Sequence, residues 1–600
     1  MVAFLRCLRP PGLACALGLI SLCAGPSPAF GQAGAPAVQW ERTVGSLYDD
    51  YGLAVPTADG GCLLAGSARG GVSGDKTAAG CLAGSDYWVV KLSAGGAVQW
   101  QQAVGSHGTN RLSGAVQTAD GGFVLAGTNG EPASAGGGVG CAKTQPNRGQ
   151  RGIWVVKLSG AGALLWERSF STPGSGNVPQ ATAGRGSDAA SGVAAAPDGG
   201  VLVVGHSDGP AAGDKSEPTR GYADYWVLRL GPGGALLWQR TLGSPEQDLA
   251  GAVAATADGG WLVAGHSYPA TLPVGSGAGG EKSEPSRGGA DLWVLKLDGA
   301  GAVQWDRTCG GPGDETIGGV AATADGGCLL AGLADGPAGG DRAQPSRGDY
   351  SGWAVKLGPG GARQWERVCG GPGTGGFGGQ GADDFQAVAA TADGGALLLG
   401  TTLSDAGADV SQPRRAADDY WALKLDAAGG RQWDRRLGGL SGPQGRGGSQ
   451  LAGGGLTADG GAVLGGRSNA LAGYEKSQPG PGTPPGIPPG PGTPQGYDYW
   501  VVKLAPLALA AAPAAASAAS VAVWPVPAGA GQALQVRWGG GGAAGAAGLA
   551  LLDGLGRAVW AGAGAGGAAA VPLAGRAPGH YWLRITPAGG LPATRAVAVW

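Results

Sequence analysis

The sequence lacks an excess of charge of either sign, because 41 lysine and arginine residues stand against 43 aspartate and glutamate residues. Such a balance gives no field that would favour nucleic acid or an anionic membrane surface as a partner. The chain also lacks a helical period of useful length, and it has no P-loop, Gly-x-Ser-x-Gly elbow or His-Glu-x-x-His motif. We therefore look for function in what recurs along the chain.

Long apolar runs are also scarce. The first residues carry Arg6 and Arg9, then an apolar stretch over 13–24 and a small-residue site at 29–31. This order predicts a signal peptide over residues 1–31, too short to span a membrane. The alanine-rich stretch that ends near residue 523 contains Pro513 and predicts a linker. No transmembrane segment is expected, and the protein is predicted to be secreted or attached to the outer cell surface.

Cysteine is sparse, with nine residues in the whole chain. The exported part keeps six of them, at positions 62, 81, 141, 309, 328 and 369. An oxidising compartment permits disulfides. Cys62 and Cys81 lie within one repeat, which suggests a pair, and small buried thiols are the alternative for the rest. The four histidines, at 107, 206, 266 and 580, form no zinc-like pattern, so neither a metal site nor a cofactor is predicted.

Glycine, in contrast, is abundant at 127 residues, and it recurs at fixed places. An Asp-Gly-Gly turn appears seven times, at Asp59, Asp120, Asp198, Asp258, Asp325, Asp393 and Asp459. Each Asp-Gly lies between short apolar runs and predicts a hairpin, with the aspartate as a structural turn residue. Calcium binding at these acidic turns is a further alternative, although no pattern of ligand residues supports it.

Two tryptophan strands complete each repeat. The first type reads Asp-Tyr-Trp-Val-Val-Lys-Leu, as around Trp88, and the second reads Val-Gln-Trp-Glu-Arg, as around Trp40. From a first-type to the following second-type tryptophan the distance is always twelve residues, as from Trp88 to Trp100. A constant distance through a turn predicts a constant register, with the two indoles opposite or nearly so on adjacent strands.

The repeat thus predicts four strands, A before Asp-Gly-Gly, B after it, and the two tryptophan strands C and D. The exported part begins with a lone D strand over 38–43 and its last unit ends with a C strand over 497–504. We expect the first strand to complete the last unit and remove its open edge. The predicted class is all-β, a seven-bladed β-propeller over residues 32–504. The motifs resemble SBBP-type propeller repeats of bacterial exported proteins, a resemblance that implies a fold and no agreed activity.

After a linker over 505–520, residues 521–600 contain short alternating strands that predict a small immunoglobulin-like β-sandwich. Its Pro525-Val526-Pro527 opening, its Leu552-Asp553 stretch and its Gly579-His580-Tyr581 stretch follow one another in order. This order resembles the type A sorting domain of the Bacteroidetes type IX secretion system. The resemblance implies the secretion machinery as a partner, removal of this domain, and release or attachment to surface lipopolysaccharide.

The B–C and D–A loops are long and variable, and they are expected on one face of the propeller. Variable loops on a rigid scaffold are where binding usually resides. The weak candidate ligand residues on this face are basic in the B–C loops and acidic in the D–A loops: Lys215, Arg220, Lys282, Arg287, Arg347, Asp188, Asp248, Asp314 and Asp384. The alternative for these residues is architectural, as ion pairs between blades and as loop caps.

We accordingly predict a non-catalytic binding or adhesion platform whose partner is a glycan or a surface protein. The rival is a secreted glycosidase or lyase that uses the propeller channel, with a carboxylate pair drawn from different blades. A mixture of adhesion and weak carbohydrate binding is the third alternative. The regularity of the repeat favours binding, since catalysis needs a few unrepeated residues and few are visible.

Overall fold

A computed structural model describes residues 34–81, 84–131, 139–173, 187–269, 280–373, 382–441, 447–478 and 496–506, and most of 520–599 in separate strands. The predicted signal peptide, most of the predicted linker and the Pro-x-Pro opening lie outside these residues. The chain divides into two compact units, with the division after Pro506. Within the described residues, no helix is long and apolar enough to cross a membrane.

The first unit contains seven four-stranded antiparallel sheets. Sheet 1 holds β2 (Asp50–Pro56), β3 (Cys62–Arg69), β4 (Ser85–Leu92) and β5 (Val98–Val104), and sheet 2 holds β6 (Asn110–Gln117), β7 (Phe123–Asn129), β8 (Gly152–Leu158) and β9 (Leu164–Phe170). Sheet 3 holds β10 (Asp188–Ala195), β11 (Val201–Ser207), β12 (Asp224–Leu230) and β13 (Leu236–Leu242), and sheet 4 holds β14 (Asp248–Ala255), β15 (Trp261–Ser267), β16 (Asp291–Leu297) and β17 (Val303–Cys309).

The remaining three sheets follow the same plan. Sheet 5 holds β18 (Glu315–Ala322), β19 (Cys328–Asp335), β20 (Tyr350–Leu357) and β21 (Arg363–Cys369), and sheet 6 holds β22 (Asp383–Ala390), β23 (Ala396–Thr402), β24 (Asp419–Leu425) and β25 (Arg431–Leu437). Sheet 7 holds β26 (Ser449–Leu456), β27 (Ala462–Ser468), β28 (Asp498–Leu504) and, as its fourth strand, β1 (Val38–Val44).

The N-terminal strand completes the last sheet, as predicted. β1 pairs antiparallel with β28, from Val38 opposite Leu504 to Val44 opposite Tyr499. The first strand of each sheet also contacts the first strand of the next, and β2 of sheet 1 contacts β26 of sheet 7. The sheets therefore follow one another in a closed order, which makes the unit propeller-like.

The prediction that the two tryptophans of a repeat lie opposite each other, or nearly so, on adjacent strands is wrong. Trp88 lies opposite Ala103, while Trp100 lies opposite Lys91. The turn does not fall midway between the two tryptophans. Leu92 and Val98 are the last pair before the turn, and Leu92 stands four residues after Trp88 whereas Val98 stands only two residues before Trp100. The two tryptophans of a repeat consequently serve different contacts.

The tryptophans of the third strands pack in the contacts between neighbouring sheets, which we call seams. All seven are fully buried, at positions 88, 154, 226, 293, 353, 421 and 500. The ring of Tyr87 lies 4.9 Å from that of Trp154 in the next sheet, and its hydroxyl donates to the Trp154 carbonyl over 3.2 Å. Fourth-strand tryptophans instead reach the turn of the following sheet, as where the Trp100 indole N–H donates to the Gly160 carbonyl at 3.0 Å.

The Asp-Gly-Gly turns lie at the opposite end of the sheets from the long loops. In sheet 1, Asp59 Oδ1 accepts from the Gly61 N–H at 3.1 Å and Oδ2 accepts from Lys91 Nζ at 2.8 Å. A lysine or arginine of the third strand pairs with the turn aspartate in all seven sheets: Lys91, Lys157, Arg229, Lys296, Lys356, Lys424 and Lys503. The acid of each turn is thus engaged by its own sheet.

The second unit consists of two sheets. One holds β29 (Ser520–Trp524), β30 (Ala533–Gly539) and β33 (Ala568–Pro572), and the other holds β31 (Ala547–Leu552), β32 (Ala558–Gly564), β34 (Gly579–Pro587) and β35 (Ala593–Val599). Leu534 and Val571 of the first sheet share one buried cluster with Leu551 and Ile585 of the second. The sequence pattern did not predict β29 or β33, since β29 is apolar after its first residue and alanine supplies three of the five residues of β33, so that neither strand shows an alternation of polarity.

Candidate ligand-binding face

In six of the seven sheets, the long loop between the second and third strands inserts a cation under the loop face. These six side chains are almost completely buried: Lys76, Lys143, Lys215, Lys282, Arg342 and Lys476. Lys282 Nζ, for example, donates to the Ser267 and Ser286 hydroxyls at 2.7 Å each. A cation held by hydroxyls and carbonyls inside the protein fixes the loop around it.

Sheet 6 is the exception, because Val410 occupies the position of the cation. There the buried Arg436 of β25 supplies the charge, with its guanidinium Nε 3.5 Å from an Asp419 carboxylate oxygen. The same space is therefore filled by a cation from a different strand.

Buried acids accompany these cations. Asp188 and Asp248, the first residues of β10 and β14, are completely inaccessible to solvent. Burial raises the pKa of the Asp188 carboxyl to about 6, and burial lowers the pKa of the Lys215 ammonium to about 8. Four of the residues predicted for a polar rim, Lys215, Lys282, Asp188 and Asp248, thus lie inside the protein. Their spacing in the sequence suggested loop tips, whereas the loops fold back over them.

Three predicted arginines lie on the loop face but already have partners. Arg220, Arg287 and Arg347 each stand five residues after the buried cation and bind an acid of the next sheet. The Arg287 guanidinium lies 3.2 Å from Asp341, for example. Five successive seams carry this pair: Arg148 with Asp214, Arg220 with Glu281, Arg287 with Asp341, Arg347 with Asp409 and Arg415 with Glu475.

Asp314 and Asp384 complete the predicted set. Asp314 is exposed and caps a loop, since it accepts from the Ala290 N–H at 2.7 Å. Asp384 accepts from the Gln386 amide at 2.9 Å and from the Thr401 N–H at 3.0 Å, and burial raises its pKa. The structure therefore distributes the nine predicted residues over several seams rather than bringing them into one site.

The seam between sheets 1 and 2 carries a disulfide in place of the ion pair. Cys81 stands five residues after Lys76, in the position of the arginine, and its sulfur is bonded to Cys141 in the loop of sheet 2. The predicted pair of Cys62 and Cys81 is wrong, because Cys62 is a buried free thiol at the far end of β3. Cys309, Cys328 and Cys369 are also buried and free.

An aromatic cluster lies where sheet 7 meets sheet 1, and we call it the tyrosine patch: Tyr48, Tyr51, Tyr497 and Arg467. Tyr48 is 52% exposed and Tyr51 is 44% exposed. The centres of the Tyr51 and Tyr497 rings are 6.2 Å apart, and the Arg467 guanidinium lies over both rings, 4.8 Å and 4.5 Å from their centres. The Arg467 Nε donates to the Gln450 amide oxygen at 2.9 Å, so the guanidinium is held in place.

Among the residues that the structure describes, no other sheet repeats the tyrosine patch. The residues that correspond to Tyr51 are Arg111, Ala189, Leu249, Thr316, Asp384 and Gln450, and those that correspond to Arg467 are Ser67, Thr128, His206, His266, Leu333 and Thr401. The tyrosine patch was not predicted from the sequence. The sequence did contain a signal for it, because Tyr51 and Arg467 are bulky residues at two positions of the repeat where the residues of the other sheets follow no pattern.

A cavity of about 190 Å³ lies between the first strands of the sheets. It is lined by first strands, with aliphatic side chains such as Val193, Val253 and Val388, several glycines and the amide of Gln386. No carboxylate is among its lining residues. An apolar lining of this kind offers neither a general acid nor a general base.

Comparison with known proteins finds neither a matching family model nor a matching curated protein. Solved structures with a related arrangement include a fungal alcohol oxidase of the AA5 family in complex with copper, at 12% identity and a TM-score of 0.34 over 94% of this chain and 100% of that one. A Synechocystis apocarotenoid oxygenase variant matches at 11% identity and a TM-score of 0.32, over 73% and 91%. A gluconolactonase from Xanthomonas campestris matches at 10% identity and a TM-score of 0.24, over 77% and 98%. We draw no conclusion from similarities this remote.

Proposed function

We propose that the chain is an exported, non-catalytic binding platform, a seven-bladed β-propeller that takes its ligand on the tyrosine patch. The observation that carries this proposal is an exposed set of tyrosines beside a fixed arginine, which no other sheet repeats within the described part of the chain. Tyrosine and arginine are the residues most enriched at the energetic centres of binding surfaces. Tyrosine offers a large contact area with little conformational entropy to lose, and the Arg467 side chain is already held by its hydrogen bond to Gln450.

The ligand class that suits the tyrosine patch is a glycan or a surface protein. Tyr51 and Tyr497 present aromatic faces, and Arg467 and the nearby Asp49 present polar groups beside them. A pyranose ring or an extended peptide has this same alternation of apolar and polar surface. The apolar lining of the central cavity favours binding over the glycosidase or lyase alternative.

Export is the second part of the proposal. It is supported by the sequence of the first 31 residues and by the resemblance of residues 521–600 to a type IX sorting domain, which would be an immunoglobulin-like sandwich. We expect cleavage after Gly31 and separation of the C-terminal module from the propeller. Intact-mass measurement on the extracellular protein checks this, and residues 521–600 still attached in every molecule would contradict it.

The binding proposal is tested on the purified full chain with a glycan array and a panel of cell-surface proteins, alongside a screen for polysaccharide hydrolysis. We expect Tyr51→Ala and Arg467→Ala to weaken binding at least about tenfold, in the range of hot-spot residues. Tyr222→Ala is the matched control, since this tyrosine is 56% exposed but lies in another sheet. Polysaccharide turnover that one carboxylate substitution abolishes would overturn the proposal.

A further inference from the structure

Beside the disulfide of the first seam lies a histidine, and the three side chains form a compact group. The ligand atoms of Cys81, His107 and Cys141 all lie within 4.8 Å of one another. Within the described residues this is the one group of three side chains suited to a metal ion. Cys141 and His107 are exposed and Cys81 is half-buried, so solvent reaches the group. This cluster could not be predicted from the sequence, because its three residues come from three separate loops.

The local backbone is shaped around this group. Gly140 has a φ of +131°, and a Cβ at this position would lie 2.4 Å from the His107 ring. Cys141 itself has a φ of 52°, in the left-handed region that side chains disfavour. Glycine occupies the equivalent position in sheets 1, 3, 4 and 5, whereas Ala408 and Tyr474 occupy it in sheets 6 and 7 with φ values of 50° and 52°. The left-handed conformation is therefore a property of this loop position, and it places the Cys141 thiol beside Cys81 and His107.

We propose that Cys81, Cys141 and His107 form a redox-gated site for a soft or borderline metal ion of the Zn²⁺ or Cu⁺ class. Two thiolates and an imidazole are the donors that these ions prefer. In a tetrahedral zinc site two sulfurs at 2.3 Å from the metal lie about 3.8 Å apart. The Cα atoms of the two cysteines are 6.2 Å apart, so the sulfurs reach that separation by side-chain rotation once the disulfide opens. A solvent molecule or an external ligand takes the fourth position.

Opening the disulfide between Cys81 and Cys141 requires a two-electron reductant, such as a phosphine. The S–S bond breaks, the phosphorus is oxidised to a phosphine oxide with an oxygen from water, and two thiols form. A divalent ion then displaces one proton from each thiol and binds both sulfurs and the imidazole. Hydrogen peroxide, as a two-electron oxidant, reverses the step: the two thiolates give up two electrons and form the disulfide, the peroxide takes these electrons with two protons to become two water molecules, and the metal ion is released. The disulfide state is therefore the metal-free state of the site.

The test uses Co²⁺ as the probe, on the full chain before and after treatment with a phosphine. We expect one Co²⁺ per reduced chain with thiolate-to-cobalt absorption, no such absorption from the oxidised chain, and displacement by Zn²⁺. The Cys81→Ser, Cys141→Ser double variant should lose this absorption while it keeps the four buried thiols. His107→Ala should weaken Co²⁺ binding at least about tenfold. His206→Ala, a histidine of sheet 3, is the matched control and should bind as the parent does.

A second readout separates loss of the site from loss of the fold. Bound Zn²⁺ should slow alkylation of Cys81 and Cys141 in the reduced chain, as identified by mass spectrometry of the modified peptides. Far-UV circular dichroism of each variant reports whether the sheets remain. Equal Co²⁺ affinity in the parent and the double serine variant would overturn the proposal, and so would alkylation of the two cysteines at a rate that Zn²⁺ does not change.

Discussion

The Tyr499 hydroxyl donates a hydrogen bond to the backbone carbonyl of Trp88 over 3.2 Å, although the two residues are 411 positions apart in the sequence. Their rings are stacked with centres 4.9 Å apart. The same contact joins Tyr225 to Trp293 between two sheets that follow each other in the chain. The seam that joins the two ends of the first unit is thus built like an internal seam.

This equivalence predicts that Tyr499→Phe and Tyr225→Phe destabilise the protein equally. Each removes one buried hydroxyl and keeps the ring, so we expect each to lower the free energy of unfolding by about 1 kcal/mol. Denaturant unfolding followed by tryptophan fluorescence measures both. Tyr222→Phe, on an exposed ring, is the control and should change nothing. A neutral Tyr499→Phe beside a destabilising Tyr225→Phe would mean that the closing seam is not formed in solution.

Strand positions and hairpin turns could be predicted from the sequence, since each Asp-Gly-Gly stands between apolar runs and each tryptophan strand repeats. The register between Trp88 and Trp100 could not. A constant spacing shows that every hairpin is alike, but it does not say where within the twelve residues the turn falls. The position of the turn depends on hydrogen bonds that other turn geometries satisfy equally well.

The disulfide and the tyrosine patch were missed for a different reason. Both lie at seams between sheets, and contacts across a seam leave no period in the sequence. The signal for the disulfide was nevertheless present, because Cys81 stands five residues after Lys76, where Arg220 stands five residues after Lys215. Alignment of the long loops on their buried cation would have placed Cys81 beside the loop of sheet 2. The burial of four candidate ligand residues, Lys215, Lys282, Asp188 and Asp248, could not be predicted either, since a polar loop residue can fold inwards or point outwards with the same local sequence.

The pH dependence of stability should reflect the buried acids of the loop face. Burial raises the pKa of the Asp50 carboxyl to about 7, in spite of its hydrogen bonds from Ser46 and the nearby ammonium of Lys76, and the charge of Asp49 raises it further. The folded state therefore holds this proton more tightly than the unfolded state does. The contribution to stability is complete below about pH 4 and is lost as the pH rises through about 7.

We accordingly expect Asp50→Asn to be nearly neutral at pH 5 and to stabilise the protein at pH 8, by on the order of 1 kcal/mol. Sheet 2 already carries Asn110 at the equivalent position, where its amide donates to the Ser85 carbonyl at 3.0 Å. The measurement is the midpoint of thermal unfolding at pH 5 and pH 8 for the parent and the variant. Asp49→Asn, on a neighbouring acid whose carboxylate accepts from the Tyr497 N–H, is the comparison. Identical pH profiles for the parent and Asp50→Asn would contradict the burial effect.

The last prediction concerns Ala408, which has a φ of 50° at a loop position where sheets 3, 4 and 5 use glycine. A left-handed conformation costs an L-residue roughly 1–2 kcal/mol, while the extra freedom of glycine in the unfolded chain costs about 0.5–1 kcal/mol. Ala408→Gly should therefore raise the free energy of unfolding by about 0.5–1 kcal/mol. The reverse change, Gly213→Ala, should lower it by about 2 kcal/mol, because its φ is 68° and its new Cβ would lie 2.6 Å from the Ser171 carbonyl oxygen. Denaturant unfolding of the two variants measures both effects, and a destabilising Ala408→Gly would show that the loop does not hold this conformation.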